Sequence, residues 1–148
     1  MVELTDIQNV HLVGAGGAGM SAIAKLLSQM GKDVSGSDLK FSSVLHALED
    51  LGLTVWGGSD PDRLSDTDLI VCSSAVPDND PELTRARELG IRIWWRPELL
   101  SALTAEIPTI GATGTHGKTT STAMLVEALL ATGADPSFIV GGQLTCLG

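Results

Sequence analysis

A chain of 148 residues can form one ordinary domain with a buried core, or one domain and part of a second. With 43% hydrophobic and 18% charged residues it has the balance of a folded α/β protein, which excludes the disordered and fibrous classes. A net charge of −9 with no cluster of Lys or Arg excludes a nucleic-acid surface, so an anionic ligand has to be held by backbone amides and single cations.

The N-terminus, Met1-Val-Glu-Leu-Thr-Asp6, is acidic and lacks the basic and apolar regions of a signal peptide. No stretch has the uninterrupted apolar length of a membrane span. Cys72 and Cys146 fit no metal or redox spacing, which points to a reduced cytoplasmic protein. Val10–Val13 is a short apolar run that reads as the first strand and ends at Gly14. A helix follows from about Ala18 to Met30, with Ile23, Leu26, Leu27 and Met30 on one face and Gly31 as its stop. Between them, Gly14-Ala-Gly16-Gly17-Ala18-Gly19 fits G-x-G-x-x-G, and Asp38 ends the next strand, Asp33 to Ser37. Glycines there permit a tight turn and close approach to a diphosphate, and the acid suits a ribose hydroxyl. Any diphosphate-bearing nucleotide fits that geometry, and a ligand-free strand-to-helix turn would use the same residues.

A helix from about Ser42 to Leu51 is expected to bury Val44, Leu45, Leu48 and Leu51, and Leu53–Trp56 reads as the third strand. Leu69–Ser73 is the fourth. Pro81 opens a helix that runs to Gly90, Ile91–Trp94 is the fifth strand, and Pro97–Leu103 is a short helix. The alternation predicts a Rossmann-like parallel sheet with helices on both faces over residues 1–106. His11 reads as a satisfied strand residue, His46 as a solvated one, and Cys72 as a small hydrophobe. Trp56, Trp94 and Trp95 read as buried more readily than as base-stacking. The acids from Asp60 to Asp68, with Asp78, Asp80 and Glu82, read as solvated loop and helix-start residues.

Thr104-Ala-Glu-Ile-Pro108 looks like the junction to a second domain over residues 107–148. There a strand, Pro108 to Ala112, is expected to run into Gly111-Ala-Thr-Gly114-Thr115-His116-Gly117-Lys118-Thr119-Thr120 and then a helix from about Lys118 to Ala131. Loop amides and the helix N-terminus suit a phosphate, Lys118 suits the β/γ-phosphates of ATP, and the Thr119 hydroxyl suits Mg²⁺. Ala112 stands where the phosphate-loop pattern has its opening glycine, and His116 shapes the loop. A strand Ser137–Val140 leads into Gly141-Gly142. One strand–loop–helix–strand unit cannot bury a sufficient core alone. The expectation is therefore the truncated first unit of a second α/β domain, covered by the first domain, by the remainder of a larger enzyme or by self-association.

Taken together, these segments resemble the Mur ligases of peptidoglycan synthesis. The resemblance is carried by His11-Leu-Val-Gly-Ala-Gly-Gly-Ala-Gly-Met20-Ser21, Val34-Ser-Gly-Ser37-Asp38, Ser73-Ser74-Ala75-Val76 with Asn79 and Pro81-Glu-Leu83, Arg96-Pro-Glu-Leu99, Gly114–Thr120, and Asp135-Pro-Ser-Phe-Ile-Val-Gly-Gly142. The third strand is followed by Gly57-Gly58-Ser59, where a Gly-His pair is usual, and Trp94-Trp95 stands before Arg96. The resemblance implies a three-domain, ATP-dependent ligase that joins L-alanine to UDP-N-acetylmuramate through an acyl phosphate. It implies that Gly14, Gly16, Gly17, Ala18, Gly19 and Met20 face the UDP diphosphate. Ser37 and Asp38 would lie near the uridine, with Ser73, Ser74 and Ala75 opposite. Gly114, Thr115, His116, Gly117, Lys118, Thr119 and Thr120 would bind ATP, with Lys118 and Thr119 catalytic and Thr119 on Mg²⁺. Alone, these residues would bind nucleotide without ligating. Two readings compete: a nicotinamide-dependent oxidoreductase built on Gly14–Gly19 and Asp38, and a non-catalytic UDP-sugar-binding module. A third is the family's recycling ligase, which joins intact peptides to the same sugar nucleotide.

Overall fold

The computed structural model describes residues 4–140; Gly141-Gly142 and Cys146 lie outside them. The chain divides into two compact units, Met1–Ile107 and Pro108–Gly148. Among the described residues no helix is long and apolar enough to cross a membrane.

The first unit is a five-stranded, all-parallel sheet with strand order β3-β2-β1-β4-β5. In chain order it runs β1 (Asn9–Val13), α1 (Ala18–Gln29), β2 (Asp33–Asp38), α2 (Ser43–Asp50), β3 (Thr54–Gly57), β4 (Leu69–Cys72), α3 (Pro81–Leu89), β5 (Arg92–Trp95) and α4 (Arg96–Glu106). β1, β2 and β3 step one way, then β4 returns to the other side of β1 and β5 continues outward. Right-handed crossovers therefore put α1 and α2 on one face and α3 on the other. β1 and β4 are buried along almost their whole length, as strands covered on both faces must be. Val13, Ile70 and Cys72 pack against Leu83 and Ala86 of α3, with Leu64 from the turn before β4. α1 buries Met20, Ile23, Ala24 and Leu27, and α4 buries Leu99 and Leu103.

Local signals account for most boundaries. Asp80 caps α3 by accepting from the Glu82 amide, Pro81 takes the first helical position, and Gly90 ends the helix at φ +69°. α4 begins one residue earlier than predicted, because Glu98 reaches back to accept the Trp95 amide at 2.7 Å, and it runs on to Glu106. Leu51 is 58% exposed rather than buried, since α2 closes at Asp50 and only Leu45 and Leu48 of its face point fully inward. Exposed Asp68 accepts the amides of Asn9 (2.8 Å) and Gln8 (3.0 Å), tying the entry of β1 to that of β4. Those two amides hold its carboxyl below its ordinary value of 3.8. Asp68→Ala is expected to cost about 1 kcal/mol in denaturant melts at pH 7. A group lowered on folding contributes fully above its ordinary value, so the difference between variant and wild type should shrink as pH falls from 3.8 through the lowered folded value.

In the second unit α5 covers Lys118–Ala131 as predicted, with Val126 as its buried residue. The segments expected as strands, Pro108 to Ala112 and Ser137–Val140, form no ladder. A strand exists by pairing, and no other strand lies beside either among the described residues; Ile110 is 68% exposed.

Candidate functional site

In an open parallel sheet the crevice for a ligand lies outside the strand C-termini, where the strand order reverses. Here that point lies between β1 and β4. The turns that leave them meet: a Cβ on Gly14 would stand 3.0 Å from Ser73 Cβ and 3.3 Å from Val76 Cγ2, so only glycine admits the approach, and its φ of +83° adds to the requirement. The sequence-predicted residues Gly14–Gly19 and Ser73–Ala75 are thus brought together. Ser74 and Ala75 are exposed, and the Ala75 amide bonds the Ser73 hydroxyl at 3.3 Å.

The turn after β1 is braced from beneath. The Gly14 and Ala15 amides both donate to the Ser37 carbonyl at 2.9 Å, and the Gly16 amide donates to Asp38 Oδ2 at 2.8 Å. A Cβ on Gly16 would come 2.8 Å from that same oxygen. Asp38 therefore holds the turn, a role distinct from the ribose contact its position suggests. Gly17 precedes α1 and offers no side-chain cap, which leaves the amides of Ala18, Gly19 and Met20 uncapped by a side chain at the positive end of the helix dipole. The Met20 side chain is buried, leaving its backbone as the group that can meet a ligand. Ser37 is buried too, with its hydroxyl donated inward to Glu82.

Arg96 was not among the candidate site residues. A Cβ on Gly19 would lie 2.9 Å from Arg96 Nη1, which places the guanidinium across the first turn of α1. A planar cation beside a helix N-terminus has the chemistry to meet a diphosphate. The sequence signal was a lone Arg at the C-terminal end of the last strand, the edge on which every other candidate lies.

Glu82 overturns a prediction. Read as a helix-start acid in solvent, it is fully buried. Its carboxylate accepts from the Ser37 hydroxyl, from Trp56 Nε1 at 3.2 Å and from the Asp60 amide at 2.9 Å, with His11 Nε2 at 3.4 Å. His11 also contacts the Ser35 hydroxyl at 2.9 Å and stacks on Trp56, ring centroids 4.9 Å apart. Burial pushes the Glu82 carboxyl up, but the hydrogen bonds from His11, Asp60 and Ser37, with attraction to His11, bring it below its ordinary value of 4.5. His11 and Trp56 are buried and His46 is exposed, as their sequence positions suggested. Cys72 is buried with its thiol pushed up to about 12, chiefly by desolvation, which makes it an inert hydrophobe.

An open cleft of about 320 Å³ lies at the other end of the sheet, bordered by Asn9, Lys32, Asp33, Thr54, Arg63 and Asp66. It faces the strand N-termini, away from the glycine turn.

In the second unit, Gly114 (φ +151°) and Gly117 (φ +79°) shape the loop before α5. Gly117 caps α5 without a side chain, and residues 111–120 are exposed, so first-turn amides are open to an anion. The Lys118 ammonium donates to the Gly114 carbonyl and, at 3.5 Å, to that of Thr115, which poises it over the loop. Thr119 and Thr120 are exposed in the first turn. Among the described residues no group of three metal-ligating side chains occurs.

The family model described as Mur ligase family, catalytic domain, matches residues 9–107. The UDP-N-acetylmuramate–L-alanine ligase of Thermobifida fusca is 45% identical over 147 residues, covering 99% of this chain and 31% of that protein. The Kineococcus radiotolerans ligase of the same name is 49% identical over 139 residues, 92% of this chain and 30% of its own length. Among solved structures, the UDP-N-acetylmuramate–alanine ligase of Thermotoga maritima superposes with a TM-score of 0.84 at 35% identity, over 90% of this chain and 32% of that one. A UDP-N-acetylmuramate:L-alanyl-γ-D-glutamyl-meso-diaminopimelate ligase from Neisseria meningitides gives 0.86 at 30% identity, over 96% and 45%. The chain spans about a third of the length of the curated relatives it matches. With its glycine turn at the reversal point of a β3-β2-β1-β4-β5 parallel sheet and this likeness over nearly its whole length, the chain belongs to the Mur ligase family.

Proposed function

We propose that the chain supplies the sugar-nucleotide site and the phosphate loop of an ATP-dependent ligase that joins L-alanine to UDP-N-acetylmuramate in the cytoplasm. The division of labour follows the two units, Met1–Ile107 for the UDP substrate and Pro108–Gly148 for ATP. The observation that carries this reading is the convergence of the Ala18, Gly19 and Met20 amides with Arg96 at one glycine turn, a cradle for a diphosphate. Gly14, Gly16 and Gly17 shape that cradle, Ser73, Ser74 and Ala75 form its far wall, and Ser37 and Asp38 support it from below.

In the second unit the loop of Gly114, Thr115, His116 and Gly117, with the first-turn amides through Thr120, receives the triphosphate. Lys118 exchanges its contacts with loop carbonyls for phosphate oxygens and so neutralises charge as the γ-phosphoryl group moves to the lactyl carboxylate. L-Alanine's amine then attacks the acyl phosphate. The exposed Thr119 hydroxyl is a hard oxygen donor and fits Mg²⁺, which takes few protein ligands and completes its shell with water and phosphate. When bound, Mg²⁺ would supply further charge neutralisation for the phosphoryl transfer. The chain spans about a third of its curated relatives' length, so the 148 residues should bind both nucleotides yet show no alanine-dependent phosphate release.

Titration calorimetry tests the assignment. UDP-N-acetylmuramate should bind and NADH should not; the reverse order would establish the nicotinamide reading. Lys118→Ala should weaken ATP on the order of tenfold to a hundredfold while leaving UDP-N-acetylmuramate affinity intact, as expected for loss of one charged hydrogen-bond donor.

A further inference from the structure

The buried carboxylate of Glu82 gathers donors from separate elements: the Ser37 hydroxyl of β2, the Trp56 indole of β3, the Asp60 amide beyond β3, and His11 of β1. A carboxylate taken out of water costs several kcal/mol unless every lone pair is met, and a hydrophobic residue of similar size is often as stabilising. A feature with that cost calls for an account of what it fixes. Ser37 and Trp56 stand next to last in their strands and Asp60 follows β3, at the end of the sheet that faces the ligand crevice, while His11 lies midway along β1. Ser37, gripped by its hydroxyl, presents its carbonyl to the Gly14 and Ala15 amides at 2.9 Å each. Asp60 ends the Gly57-Gly58-Ser59 loop, and Asp80, two residues before Glu82, takes the Ser59 hydroxyl at 3.4 Å.

We infer that Glu82 is a positioning residue for the diphosphate cradle, acting through Ser37 on the glycine turn and through Asp60 on the loop after β3. The inference rests on the proposed sugar-nucleotide site for its functional meaning, though its geometry does not. If Glu82 served packing alone, its loss would loosen the whole unit evenly. As a positioning residue it sets the Ser37 carbonyl, so the two amides bound there should open first.

Amide hydrogen exchange by NMR on the full chain separates these outcomes without ligand. Glu82→Gln keeps the volume but replaces one acceptor oxygen with a donor, facing groups that all donate. It should lower protection at Gly14 and Ala15 at least tenfold relative to core amides such as Leu27 and Leu48. Ser37→Ala should do the same, and the double variant should be no worse than either single one, because both break one chain of contacts. An even loss at all amides, unchanged protection at Gly14 and Ala15, or additive effects of the two substitutions would overturn the inference. If Glu82→Gln does not fold, the Ser37→Ala arm decides alone. With UDP-N-acetylmuramate as probe, Glu82→Gln should weaken binding about tenfold. No binding by the unmutated chain would defeat the proposed site, while the exchange result would still decide the role of Glu82.

Discussion

Glu82→Ala is expected to destabilise the first unit by about 3–5 kcal/mol, a large share of the roughly 5–15 kcal/mol by which a domain is ordinarily stable. The substitution removes one side chain but strands the Ser37 hydroxyl, Trp56 Nε1 and His11 in a buried site, together with the half-buried Asp60 amide. Each donor left unmet in an apolar surrounding costs on the order of 1–3 kcal/mol, and water entering the vacated space recovers part of it. Denaturant melts at pH 7 measure this, and a loss under 1 kcal/mol would mean that the network contributes nothing net. The pH dependence has a definite sign. The folded Glu82 carboxyl lies below its ordinary value of 4.5, so its contribution is complete above 4.5 and is lost as pH falls through the lowered folded value. Wild type should therefore lose stability more steeply than Glu82→Gln on acidification below 4.5. His11, Asp60, Asp80 and Arg63 surround this site, so the comparison has to be made between variants that keep all four.

Gly16→Ala is expected to weaken UDP-N-acetylmuramate binding by on the order of tenfold to a hundredfold and to cost about 1–3 kcal/mol of stability, as overpacking does. The new methyl would meet Asp38 Oδ2 at 2.8 Å, Asp38 Cγ at 3.0 Å and Leu45 Cδ1 at 3.2 Å. Leu45 is fully buried in the face of α2 and has little freedom to yield. Asp38 must move instead, and its bond to the Gly16 amide goes with it. The neighbouring glycine is the control. At Gly17 the nearest atom to an added methyl is the Gly14 carbonyl oxygen at 3.6 Å, and its φ of −71° suits alanine. Gly17→Ala should cost less stability than Gly16→Ala, about 1 kcal/mol for the poorer cap of α1, because no close contact opposes the methyl. Equal effects at Gly16 and Gly17 would show that the contact with Asp38 is not what fixes the turn.

Most of the sheet was legible from sequence because β1 and β4 are short apolar runs, β1 and β3 lead into glycine turns, and β2 is bracketed by Gly31 and the Asp38 of the glycine-turn pattern. Those are local signals. Both predicted strands of the second unit failed for a reason that is not local: the apolar run at Ile110 and the one at Ile139 read as strands, yet a strand needs a neighbour. The glycine turn and the phosphate loop were legible because glycine spacing is written consecutively in the chain. Arg96 and Glu82 were not. Arg96 approaches Gly19 from 77 residues away, and Glu82 meets His11 across 71. Nothing around Glu82 marks it as buried, because Asp80 and Pro81 beside it are the residues of an ordinary helix start. Ser37 was placed correctly at the end of β2 but turned inward, since the period of two that fixes its face is set by pairing with Val13.

A double titration tests the central claim most directly. The chain is saturated with UDP-N-acetylmuramate, then titrated with a non-hydrolysable ATP analogue in the presence of Mg²⁺. Two cradles serving two nucleotides predict a second, full-stoichiometry binding event that Lys118→Ala weakens and Gly16→Ala leaves in place. Competition between the two ligands for a single site, or binding of neither, would contradict the account.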